Sequence, residues 1–542
     1  MTTVNVTPFE IQFRTRDGLL LRADVYLPPG GRGAFPTLLA ASPYQKSLRR
    51  LPAMGVFPFI EYGPIQLYLD HGYAYVILDL PGSGVSEGIW DPWSKAEGEA
   101  THDAIEHIAT QPWSSGRIGM IGQSYYAMSQ WNAARTRPPH LTTIVPYDGS
   151  CDPYRDFLYH GGVPIQGFLG SWLIGSVLLQ HTAEGHDVRG GARHEVLPDV
   201  LSHTLDDGWH RRRAAFWELG NIDIPVFSIG VWGKASLHLR GNVNGFAGVR
   251  GPRRLLITEP DTFHKAQHYF AEEALHREEL LPWYDHHLKG VDNGVMDQAA
   301  VRYFVNGRGR YASTDAWPPA DAAPRAFYLS GARSGVVNSL NDGSLTDAVP
   351  AEATATTAWT YPDEQWVAGV TTFVNGVPDH VARINTFTTA PFEKENEFTG
   401  QGTLVLHASS DQTDFDVFVK LSLLPAPGRP GPARKMSQGW LRASHRREDP
   451  ALTQELRPFH THDQVEPVAP GQVVELRIEL MPMGFVVQPG ERLRLEITNN
   501  DSTMIDQPMT HWYGQKVGTD TYHHDRLHPS RLLLPQRAAS SP

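Results

Sequence analysis

The chain has 542 residues, 41% of them hydrophobic and 20% charged, an ordinary globular composition with room for two or three domains. Its net charge of −12, without a run of Lys and Arg, excludes the electrostatic footprint that a nucleic-acid backbone requires. Cys151 is the lone cysteine, which rules out an intrachain disulfide and thiolate zinc sites and fits a reducing cytoplasm.

In chain order, residues 9–28 alternate around Arg16-Asp17-Gly18 and read as a hairpin with an Asp-Gly turn. No basic segment followed by an apolar one opens the chain, so no signal peptide is expected. Short apolar runs recur at Pro36 to Ala41, Tyr73 to Leu80, Arg117 to Ile121, Thr142 to Pro146, Pro225 to Gly230 and Arg254 to Thr258. Rich in Val, Ile and Leu and ended by Gly, Pro or Asp, they suit strands buried on both faces. Helical patterns at His102 to Thr110 and Met128 to Arg135 lie between some of them, which predicts the α/β class with a parallel sheet.

After Asp148 the strand pattern stops for about 75 residues, too long for a simple connection. The helix-like stretch that replaces it reads as a cap over the ends of the strands. Its most apolar part, Val163 to Leu179, is interrupted by Gln166, glycines and serines and falls short of the about 18–20 apolar residues of a membrane span. A buried helix is expected there, and no membrane partner. A further helix through Leu275 to Leu288 closes on Lys289-Gly290, with glycine where a C-cap belongs. Trp317-Pro318-Pro319 reads as a linker. Beyond it the runs Thr403 to His407, Val417 to Leu421, Val473 to Leu480 and Arg492 to Thr498 alternate between polar turns, as in an all-β sandwich. The expected division is a core of residues 1–148 and 223–315, a helical cap over 149–222, and a β domain over 316–542.

The chemistry concentrates in Gly116 to Ala134. There an apolar strand runs into Gly122-Gln123-Ser124-Tyr125 and then into a helical pattern, the layout of a nucleophile elbow. A serine on so tight a turn needs a small residue two positions earlier, and the first N–H groups of the helix then face a developing oxyanion. Tyr126 stands where the usual pattern has its second glycine, and by itself the motif serves equally as a structural turn. A serine nucleophile also needs a base and an acid. His264, in the loop after the last predicted strand of the core, is the expected base, with His268 as its rival; the alternative is that the pair caps a helix. No glutamate or cysteine accompanies them in a metal-binding pattern, so neither a metal nor a cofactor is expected.

Three segments carry a family resemblance: the elbow preceded by Gln111-Pro112-Trp113, the stretch Asp79-Leu80-Pro81-Gly82-Ser83-Gly84-Val85-Ser86-Glu87-Gly88, and Gly439-Trp440-Leu441-Arg442-Ala443-Ser444-His445-Arg446. Together they resemble the cocaine esterase and X-Pro dipeptidyl-peptidase family, the CocE/NonD hydrolases, over nearly the whole chain. The resemblance implies an α/β-hydrolase core, a helical cap and a carboxyl-terminal jelly roll. It also implies an elbow serine followed by tyrosine, and an oxyanion hole made by a tyrosine hydroxyl, here Tyr44, with the backbone N–H of Tyr125. One position departs from it. The family's triad aspartate follows the strand matching Pro225 to Gly230, where this chain reads Gly230-Val231-Trp232-Gly233-Lys234. Asp148, just after the strand that follows the nucleophile, is the expected substitute, with Asp152 and Asp261 as competitors.

The expected function is a serine hydrolase for esters, or amides, of small carboxylic acids. An X-Pro dipeptidyl-peptidase, an α-amino acid ester or β-lactam acylase, and a catalytically dead binding module are the alternatives, and a homo-oligomer stays open. The pairs His286-His287 and His523-His524, the loop Gly82-Ser83-Gly84, and Asp411 with Asp414 and Asp416 are expected to be structural.

Overall fold

The computed structural model describes residues 4–31, 33–46, 61–178, 196–374, 377–429, 431–506, 508–512 and 516–538. The alternating amino-terminal segment forms β1 (Phe9–Arg14) and β2 (Leu20–Tyr26), an antiparallel pair turning at Gly18, whose φ of 84° suits glycine. The apolar runs become β3 (Phe35–Ser42), β4 (Ala74–Asp79), β5 (Ser114–Gln123), β6 (Leu141–Tyr147), β7 (Val226–Val231) and β8 (Arg253–Thr258). Every residue of β4 and β7 is buried, as continuous apolar runs demand. Two strands with weaker patterns, β9 (Val301–Val305) and β10 (Arg310–Thr314), complete the edge.

Among the described residues the sheet order is β1-β2-β4-β3-β5-β6-β7-β8-β9-β10. It is parallel from β4 through β9 and antiparallel at both edges. The chain fills one side of β3 with β4 and then crosses to the other side with β5. That reversal opens a crevice at the carboxyl ends of β3 and β5, where α/β sheets bind ligands. Tyr44 leaves β3 and Ser124 leaves β5, so the topology puts both at the crevice.

Helices cover the sheet. The helix Lys95–Ala109 starts on Ser94, whose hydroxyl accepts from the Glu97 N–H, and the helix Leu281–Lys289 ends on Gly290 at φ 74°. Between β6 and β7 the described residues are mostly helical, with segments at Tyr154–Leu158, Gly167–Trp172, Leu173–Leu178, Val196–Ser202, Gly208–Arg211 and Ala215–Asn221. The helix expected over Val163 to Leu179 is shorter: Val163–Pro164 pairs as a strand, the helix begins at Gly167, and Leu179 lies outside the described residues. Ile174 is 64% exposed, so this segment is amphipathic rather than wholly buried. Among the described residues no helix is long and apolar enough to cross a membrane.

The carboxyl-terminal half is all β, built on an antiparallel pairing of Asn396–Ser410 with Val474–Val487. Leu404, Leu406, Val417, Val419, Leu476, Ile478, Leu493 and Leu495 form a separate core there. Two buried arginines tie the parts together. Arg155 pairs with Asp152 and Asp206 and donates to the carbonyls of His460 and Thr461, while Arg240 bridges Asp156 and Glu479.

Candidate active site

The turn after β5 is held by sterics and backbone hydrogen bonds. Gly122 has φ 131°, and a Cβ there would stand 2.3 Å from Cβ of Tyr126. Ser124 itself has φ 61° and ψ −117°, a left-handed conformation that costs a non-glycine residue about 1–3 kcal/mol. Its N–H donates to the carbonyls of Tyr147 and Asp148, and its own carbonyl accepts from Ala127 and Met128. The side chain is thereby thrust forward at the start of the helix Tyr125–Ala134. The Tyr125 N–H sits at the first helical position, where no intrahelical acceptor exists. Tyr126, in place of the usual second glycine, packs its ring 5.9 Å from that of Tyr44.

The histidine at Ser124 is His238, not His264. Its Nε2 lies 3.2 Å from Ser124 Oγ. His238 sits on the helical turn Ala235–Leu239 that follows β7, inside the loop from which the expected aspartate is missing. Burial and the Lys234 charge push its imidazole down to about 4, against an opposing pull from Asp148. His264 instead occupies an exposed position on the helix Phe263–Tyr269, its ring 5.0 Å from that of His268, which is also exposed. The Thr262 hydroxyl caps that helix by accepting the Lys265 N–H. His238 was concealed in sequence by its neighbours: flanked by Leu237 and Leu239, it reads as a core position. The detectable signal was a histidine in the β7 loop of a chain lacking the carboxylate there.

Gly233 explains that loss. A Cβ at this position would lie 2.3 Å from the carbonyl oxygen of Thr262, and the Gly233 N–H donates to the Pro260 carbonyl. The loop after β8 therefore leaves no space for an aspartate. Asp148, at φ 52° directly after β6, is fully buried. Lys234 Nζ at 2.8 Å and Gln123 Nε2 at 3.1 Å both hold its Oδ2. Its Oδ1 and His238 Nδ1 are both buried without a hydrogen-bond partner. Removing either member of the buried Asp148–Lys234 pair would strand the other, at about 3–5 kcal/mol. The other candidate acids are engaged elsewhere, Asp152 with Arg155 and Asp261 with Lys265.

Tyr44 is buried, and its hydroxyl accepts from Trp172 Nε1 at 2.7 Å. An indole N–H only donates, so the Tyr44 proton points elsewhere. Burial raises this phenol well above its usual range, which keeps the proton in place. The Tyr125 hydroxyl serves structure, donating to Glu97 at 2.6 Å and accepting from the Trp93 N–H. Trp90, Trp93, Trp172 and Phe157 pack around it as an apolar wall that reaches His238 through Phe157. Glu61, whose carboxyl burial pushes up to about 8, accepts from Gln267 Nε2 at 2.9 Å.

Two look-alike motifs have structural partners. The Val85 N–H that closes the Gly82-Ser83-Gly84 loop donates to Asp79, and Asp411, Asp414 and Asp416 turn to Thr519, Ser444 and Arg442 respectively.

The sequence pattern of the family described as X-Pro dipeptidyl-peptidase (S15 family) matches residues 17–269, and that of the X-Pro dipeptidyl-peptidase C-terminal non-catalytic domain matches residues 293–533. Cocaine esterase of Rhodococcus sp. is 26% identical, over 96% of each chain. A solved CocE/NonD family hydrolase from Staphylococcus aureus superposes with a TM-score of 0.83 at 24% identity, over 98% of this chain and 93% of that one. An α-amino acid ester hydrolase structure shares the fold, with a TM-score of 0.74 at 18% identity over 98% and 97% of the two chains. With an α/β-hydrolase core that carries a serine elbow and an all-β carboxyl-terminal half, the chain belongs to the CocE/NonD, or X-Pro dipeptidyl-peptidase, family of serine hydrolases.

Proposed function

We propose that this hydrolase cleaves carboxylic esters of small acyl groups through an acyl-enzyme on Ser124, with His238 as base. The observation that carries the reading is the 3.2 Å contact between Ser124 Oγ and His238 Nε2 on a left-handed strand-to-helix turn. Ser124 Oγ attacks the acyl carbon as its proton passes to His238 Nε2, and the carbonyl electrons move onto oxygen. The Tyr125 N–H and the Tyr44 hydroxyl donate to that oxyanion. Collapse expels the alkoxide, which takes the proton from His238, and water repeats the sequence to release the acid. Asp148 is the acid of the triad: Lys234 and Gln123 anchor one oxygen, and the unpartnered Oδ1 and His238 Nδ1 are the atoms that pair as the imidazolium forms.

A Tyr44→Phe variant loses one oxyanion donor and is expected to turn over p-nitrophenyl acetate about 10²–10³-fold more slowly. Wild-type turnover would remove Tyr44 from the site. The depressed His238 predicts the pH profile. The base works only when neutral, so kcat/KM rises through about pH 4 and is level by about pH 5.5. A limb near the ordinary histidine value of about 6.5 would mean that His238 is not the group being titrated.

The buried acids of the cap support an ester rather than a peptide substrate. Asp152 and Asp206 pair with Arg155, and Asp156 pairs with Arg240, so these carboxylates are already committed where a substrate ammonium would need one. The test compares p-nitrophenyl butyrate with glycyl-prolyl p-nitroanilide, alongside labelling by a fluorophosphonate. Preference for the anilide would favour the dipeptidyl-peptidase reading, and an unlabelled Ser124 the binding-module reading. A reducing cytoplasm suits the free, buried Cys151.

A further inference from the structure

We propose that the carboxyl-terminal β domain holds a zinc-class divalent metal ion between His523, Asp525 and His528. One ligand atom from each of the three lies within 4.8 Å of the others. Two imidazoles and a carboxylate are a donor set that suits zinc, with a fourth position left for water.

The fold brings these residues together from both sides of a strand end. His523 closes the strand Gly518–His523, and the turn after it folds back on Asp525, whose Oδ1 accepts the N–H groups of Leu527 and His528 at 2.8 and 3.0 Å. That turn returns the His528 ring to 5.4 Å from His523, with its Nδ1 3.2 Å from the Asp525 carboxylate. Oδ1 carries both turn N–H groups, so Oδ2, 3.4 Å from His528 Nδ1, is the oxygen offered to a metal.

The surroundings orient these donors. The Ser409 hydroxyl engages His523 Nε2 at 3.0 Å, which leaves Nδ1 of that ring as the metal-facing nitrogen. Outer partners of this kind fix the tautomer and rotation of ligating histidines. The Ser530 hydroxyl donates to the His523 carbonyl and accepts from the His407 N–H, pinning the strand end. His407, opposite His523 on the neighbouring strand, packs its ring 5.5 Å from His528 and keeps a buried Nδ1 without a partner. Nε2 of His407 lies 3.5 Å from Glu475, so the imidazoles of His523 and His528 share the Asp525 carboxylate between them, an arrangement well matched to a cation. Ligands about 2.0–2.1 Å from a tetrahedral zinc stand about 3.4 Å apart, so binding requires the side chains to close inward by about an ångström.

The experiment titrates zinc chloride into the tag-free full-length protein after chelator treatment, by calorimetry, and repeats the titration with cobalt(II) followed by its visible absorption. One equivalent bound with a Kd below about 10 μM, a tetrahedral cobalt spectrum, and at least tenfold weaker binding in His523→Asn and in His528→Ala are expected. Asp525→Asn guards against loss of folding, since its amide oxygen still accepts the two turn N–H groups; it too should bind more weakly while melting like the wild type. Failure of the wild type to bind a stoichiometric metal, or undiminished binding in these variants, overturns the site.

Discussion

Ser124→Ala is expected to abolish hydrolysis of p-nitrophenyl acetate, with kcat falling about 10⁴–10⁶-fold. In the proposed mechanism Ser124 supplies the atom that forms the acyl bond. The backbone conformation is as unfavourable for alanine as for serine, so the thermal midpoint should stay near that of the wild type. A variant that keeps a tenth of the turnover while losing none of its fold would show that the hydrolysis occurs elsewhere.

The second large effect separates two histidines. His238→Gln, close in size and unable to act as a base, is expected to lower kcat by about 10³-fold or more, whereas His264→Gln should stay within about twofold of the wild type. The reason is geometric: His238 Nε2 is 3.2 Å from Ser124 Oγ, and His264 stands exposed beside His268 on another helix. The reverse ranking would restore the base to the loop after β8 and leave His238 a packing residue. Asp148→Asn belongs to the same comparison. Losing the carboxylate leaves Lys234 without its counter-ion, so the variant should lose both turnover and thermal stability, measured together by ester hydrolysis and melting.

The elbow was legible because its signals are local. A strand of small and apolar residues, Gly122 two positions before Ser124, and a helical pattern after it are conditions that neighbouring residues impose on each other. The strands β3 to β8 were legible for the same reason, since burial on both faces leaves a continuous apolar run. The edge strands β9 and β10 face solvent on part of their surface, and their mixed pattern carries less information. Asp148 could be nominated from sequence because the end of β6 is one of few positions beside the elbow. Lys234 could not be foreseen as its partner, because a lysine in a loop ordinarily reads as solvated.

The histidine that meets Ser124 was illegible for a different reason. Chain order suggests a histidine after the last core strand, yet a triad is defined by where side chains meet. Whether the helix after β8 or the turn after β7 points toward Ser124 depends on Gly233 packing against Thr262 and on the Thr262 cap, contacts between segments distant along the chain. Sequence alone determined the class of sheet and the serine elbow, because strand periodicity and the steric demands of a tight turn act over a few residues, while Tyr44 and Tyr125 were singled out only through the family resemblance. Only the tertiary structure decided that His238 meets Ser124 and that Lys234 holds Asp148, because each rests on the way two distant loops share one buried volume.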